Sequence, residues 1–133
     1  MSLSRNAILV SRGVLIIAMC IITYLAMTQL HLPVVDDLPD PLSRSLAFYI
    51  LHILAFYILA LSFDFAFPVK TPMLVKLVLL LGYGFGIEVF QGQFTERTFS
   101  MVDLLADVIG VMLYLASIPI LKHLPWLRYR WNR

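Results

Sequence analysis

The chain has 133 residues, 61% of them hydrophobic and 14% charged, with a mean hydropathy of +0.90 and a formal net charge of +2. A soluble domain carries about 25% charged residues, so the composition excludes an ordinary water-soluble globule and points to lipid as the solvent. Nothing in it suggests nucleic-acid binding, and the single cysteine, Cys20, excludes both an intrachain disulfide and a cysteine-based zinc site.

Four apolar runs, at about residues 13–30, 46–67, 72–91 and 101–121, fill most of the chain. Each is near the ~20 residues that a helix needs to cross a ~30 Å hydrocarbon core. The runs are too long and too uniformly apolar for barrel strands. They predict an all-α, integral membrane four-helix bundle with short loops, a single domain over residues 1–133.

In chain order, the first run follows Arg5 and Arg12, as in a signal peptide. Its uncharged stretch, residues 13–30, exceeds the about 7–15 residues of a signal h-region and leads into His31-Leu32-Pro33, so a retained membrane helix is expected. Asp36, Asp37 and Asp40 come next among Pro33, Pro39 and Pro41, a pattern expected of a solvated, proline-stiffened loop. In the second run Tyr49, His52 and Phe56 recur at helical spacing, and Asp64 is expected as an interfacial residue near the helix end. The third run places Gly84, Glu88 and Gln91 on one face, while Gly82 and Gly86 form a small-xxx-small pair suited to close helix approach. The fourth carries Ser100, Asp103, Asp107, Gly110 and Tyr114 at steps of three and four, hence on one face. Ser100 also suits a helix cap, and Arg97, in the short preceding loop, is positioned to fold back onto Glu88 or Asp103. Residues 122–133 mix basic residues with Trp126, Tyr129 and Trp131, which predicts an interfacial anchor on an anionic leaflet.

Four helices put both termini on one side, with Arg5, Arg12, Lys70, Lys76, Lys122, Arg128, Arg130 and Arg133. Arg44 and Arg97 lie on the other. This asymmetry predicts cytoplasmic termini. At about 1.5 Å of rise per residue, His52, Glu88, Asp103 and Asp107 then occupy one layer in the outer half of the bundle. A charge near the bilayer centre costs about 2.5–3.5 kcal/mol even on the lenient scale, so these stripes are expected to face one another. The result is an outward-facing polar pocket or a polar plug of the same composition.

The stretch "EVFQGQFTERTFSMVDLLADVIGVMLY" resembles the signature of the VanZ-like family, small membrane proteins named after an accessory glycopeptide-resistance protein. The family pattern is E-x-x-Q, a short loop, R-x-x-S-x-x-D and then x-x-x-N-x-x-G, on which Glu88, Gln91, Arg97, Ser100, Asp103 and Gly110 fall. An earlier element, a histidine followed four residues later by an aromatic, matches His52 and Phe56. The resemblance covers roughly residues 45–115. Asp107 stands where the family usually has asparagine, and Tyr49 where a lysine is common. The resemblance implies a place in the bacterial inner (cytoplasmic) membrane and a role in the cell envelope linked to teicoplanin-type resistance.

The candidate site is therefore His52, Glu88, Gln91, Arg97, Ser100, Asp103 and Asp107, weighed against a salt-bridge network that merely closes the bundle. Three functions are compatible with it. The first is binding or modifying a lipid-linked envelope precursor or a phospholipid headgroup, with Arg97 pairing to phosphate. The second is a metal-assisted hydrolase or transferase using His52, Glu88 and Asp103, although no diagnostic pair such as His-x-x-x-His is present. The third is a small transporter or proton relay along Asp103 and Asp107. The sequence assigns no catalytic residue, metal or cofactor.

Overall fold

The computed structural model describes residues 5–27, 35, 37–95, 98–125 and 130–131. Over these residues the chain is all-α and folds as a four-helix bundle: α1 Arg5–Met27, α2 Pro41–Ala66, α3 Met73–Phe94 and α4 Met101–Leu121. At about 1.5 Å per residue, helices of 21–26 residues reach roughly 32–39 Å, enough to span a bilayer. All four are long and apolar enough to do so.

The ends of the helices have local causes. α1 starts well before residue 13, because Arg5–Gly13 holds no proline; the apolar run marked where lipid begins, not where helix begins. Residues 28–30 of the expected first span, and Asp36 in the loop, lie outside the described residues. α2 begins at Pro41 and not near residue 46. Asp40 is its N-cap: one carboxylate oxygen accepts from the Ser43 amide at 2.9 Å and the other from the Ser43 hydroxyl at 2.6 Å. Pro41 at the first helical position forfeits no hydrogen bond there. Both hydrogen bonds hold the exposed Asp40 carboxyl below its ordinary range. Pro68 and Pro72 punctuate the turn between α2 and α3. α4 begins at a second cap, where Ser100 Oγ accepts from the Asp103 amide at 3.1 Å.

The bundle is apolar outside as well as inside. Ile16, Ile17, Leu54, Ile58, Leu74, Val78, Leu105 and Met112 are all about half exposed or more, a surface suited to lipid. Phe56, Leu59, Leu80, Val111 and Tyr114 form the middle of the core. The most extensive contact is between α2 and α4, and α1 lies along α2. Gly110 explains the first: a side chain there would strike the Ile53 carbonyl and approach Phe56 Cβ at 3.0 Å and Tyr57 N at 3.1 Å. Gly84 likewise makes room for the Phe56 ring and the Asp107 carboxylate. By contrast, Gly82 and Gly86 face outward with open space beside them, so the expected small-xxx-small approach does not form among the described residues. Gly82 and Gly86 each lie two residues from Gly84, or about 200° around a helix, so they look outward when Gly84 looks inward.

Candidate functional site

α2, α3 and α4 bring four ionisable candidates into one layer. His52 projects from the first half of α2, and its Nδ1 lies 2.9 Å from Asp107 Oδ1 while its Nε2 lies 4.0 Å from Asp103 Oδ2. Asp103 and Asp107 are one turn apart on α4, so both edges of the imidazole meet carboxylates from a single helix face. With Asp107 ionised, the ring donates its Nδ1 proton, and a neutral His52 presents Nε2 as an acceptor. Glu88 joins from α3, where its Oε2 accepts from the Ser100 amide at 3.2 Å. The carboxylates are deeply buried, with Glu88 1%, Asp107 2% and Asp103 6% exposed. His52 keeps 24% of its side chain accessible, which makes it the group through which the layer meets its surroundings.

Two expected members stand apart. Gln91 is buried but turns toward α1, donating from Nε2 to the Ala26 carbonyl at 2.7 Å. Its role is to satisfy a helix-end carbonyl and tie α3 to α1, as Tyr83 does through Thr23 at 2.7 Å and the Met19 carbonyl at 2.9 Å. Arg97 lies outside the described residues, so its expected pairing with Glu88 or Asp103 is not placed. Ser100 serves both as cap and as amide donor to Glu88. Among the described residues, no three His, Cys, Asp or Glu side chains converge as metal ligands.

A second polar cluster occupies the opposite end of the bundle and corrects the expectation for Asp64. This residue lies in the last turn of α2, as expected, but it is not a surface residue: it is 2% exposed and accepts from four side chains. Its Oδ1 takes Lys76 Nζ at 2.6 Å and Arg130 Nη2 at 2.8 Å, and its Oδ2 takes Tyr114 Oη at 2.6 Å and Trp131 Nε1 at 3.1 Å. Arg130 Nη2 also donates to the Asp64 and Phe67 carbonyls. Arg12 closes the same end, its Nε donating to the Ala66 carbonyl at 3.1 Å. Arg130 and Trp131 are thus folded against the end of α2, contacts that the expected anchor role did not include. A buried carboxylate demands donors more strongly than an interface demands a tryptophan. Trp126 and Tyr129 lie outside the described residues.

One signal for this cluster was present. Asp64 and Lys76 have opposite charge and sit close to the turn that joins two antiparallel helices. Leu59, Leu80 and Val111, each no more than 2% exposed, form an apolar layer between the two polar clusters.

This fold defines the class of the chain: a multi-pass, all-α membrane protein with buried polar clusters near both ends of its bundle. No protein-family model matches the chain, and no curated protein or solved structure matches it.

Proposed function

We propose that the chain is a VanZ-like protein of the bacterial cytoplasmic membrane, with both termini in the cytoplasm. Its His52–Glu88–Asp103–Asp107 layer faces the extracytoplasmic side and binds or modifies a lipid-linked or glycopeptide-related envelope molecule. The observation that carries this is the convergence of His52 with Asp103 and Asp107 from one face of α4, beside Glu88 of α3. Carboxylates and an imidazole in a dry setting suit the hydroxyl and amino groups of such a headgroup, since each is an acceptor strengthened by low dielectric. The orientation rests on eight basic residues at one end against two at the other. Expressed at equal level in a susceptible bacterium, the wild type is expected to raise tolerance to teicoplanin, and His52→Ala or Asp107→Asn to remove that gain. No gain with the wild type, or a gain kept by both variants, discards the assignment.

A second reading, an intramembrane hydrolase or transferase, is favoured by one distance. His52 Nδ1 at 2.9 Å from Asp107 is how a carboxylate fixes the tautomer of a general base. Its metal-assisted form has less support, because the described carboxylates and histidine do not converge as a ligand set. A proton relay has less again, because the Leu59–Leu80–Val111 layer interrupts any polar path along α4.

A further inference from the structure

We propose that the pocket at the other end of the bundle, beside Thr71, Lys76, Arg130 and Trp131, binds one phosphate-type anion, either a lipid headgroup phosphate or free phosphate. The pocket is a cavity of about 150 Å³ lined by Asp64, Thr71, Lys76, Arg130 and Trp131, with Val69 and Met73 as apolar wall. Two cations and one carboxylate leave one positive charge in excess among these lining groups.

Hydrogen-bond accounting shows where the anion belongs. A carboxylate offers about four acceptor sites, and Asp64 already receives four donors, two on each oxygen. Arg130 is 2% exposed, its described hydrogen bonds all run through Nη2, its guanidinium lies over the Phe65 ring, and its buried Nη1 has no hydrogen-bond partner. Asp64 therefore cannot serve that nitrogen. Lys76, 4% exposed, spends one donor on Asp64 and has three to offer. An oxyanion at the guanidinium and Nζ supplies the acceptor that Nη1 lacks and removes the excess charge. The forked, permanently charged guanidinium suits phosphate better than a point charge does. The location agrees: Lys76 is in the first turn of α3 and Asp64 in the last turn of α2, the depth at which the phosphates of a bilayer lie. Apolar Val69 and Met73 beside the charges fit a group attached to a lipid.

The full chain in phosphatidylcholine nanodiscs, with and without phosphatidylglycerol, tests this by native mass spectrometry of the released protein and by thermal unfolding. The expected result is one retained phosphatidylglycerol and a raised melting temperature. Arg130→Lys, which keeps the charge and removes the fork, should weaken retention about tenfold, the effect of one lost charge-assisted hydrogen bond. Thr71→Val, outside the Asp64 network, should weaken it less and serves if Arg130→Lys does not fold. Exposed Lys70→Gln should change nothing. A rise in melting temperature with inorganic phosphate in pure phosphatidylcholine, not increased by phosphatidylglycerol, would assign the site to the soluble anion. Absence of both effects, or equal retention in wild type, Arg130→Lys and Thr71→Val, overturns the proposal.

Discussion

Asp64 gathers donors from α3, α4 and the segment after α4, so its charge is shared among parts of the chain distant in sequence. Asp64→Ala would leave Lys76 and Arg130 as buried cations without their counter-ion. Breaking a buried pair in this way costs about 3–5 kcal/mol, so a sharply lowered melting temperature in detergent is expected. An unchanged value would mean that water reaches the two cations. Asp40 gives a pH effect of known sign. Its carboxyl is held below the ordinary value of about 3.8 by the hydrogen bonds from Ser43. A lowered folded-state value means that its contribution is fully present above the unfolded value and is lost as pH falls through the folded one. The protection of the Ser43 amide against hydrogen exchange, relative to its intrinsic rate, should therefore fall as pH drops below about 3.8 in the wild type. In Asp40→Asn, where the cap does not titrate, that step should be absent.

At the scale of the element, glycine separates the helix faces. Gly110→Ala forces the backbone of α2 away from α4, because the added methyl group meets main-chain atoms that cannot rotate aside. Overpacking of this kind costs about 1–3 kcal/mol, so a clear drop in melting temperature is expected. Gly82→Ala, into open space, should leave it unchanged or slightly raised. Equal effects of the two would contradict the assigned face of α3. The sequence told part of this. The stripe from Ser100 through Asp103, Asp107 and Gly110 to Tyr114 was legible because buried polar residues have only one acceptable direction in lipid. The rotation of α3 was legible through Glu88 but ambiguous through its glycines, since helical spacing says which residues share a face and not which face looks inward. The start of α2 was misplaced because hydropathy outweighed a proline that in fact stands at the first helical position, behind a capping aspartate.

Over the whole molecule, composition alone implied four spans, because no other fold hides the backbone of so apolar a chain in a bilayer. The return of Arg130 and Trp131 to Asp64 was not legible. A short basic and aromatic segment has no periodicity, and its composition suits a membrane interface as well as a buried carboxylate. The charge asymmetry makes a prediction at this scale. In a chain with Cys20→Ser, the variant Thr98→Cys is expected to react with a membrane-impermeant maleimide in intact cells. Lys70→Cys should react only after permeabilisation. The reverse pattern would invert the proposed orientation and move the His52 layer to the cytoplasmic face.

The Asp64 contacts also carry a chronology. Lys76 follows Asp64 by 12 residues, whereas Tyr114 and Arg130 follow by 50 and 66. During synthesis the carboxylate of α2 meets its first cation as soon as α3 begins, so the two helices can leave the translocon together as an electrically neutral hairpin. A lone ionised aspartate inside a membrane segment is penalised on insertion scales, and early pairing spares the nascent chain part of that. The remaining donors arrive only when α4 and the segment beyond it have been made, so Asp64 records the completion of the bundle.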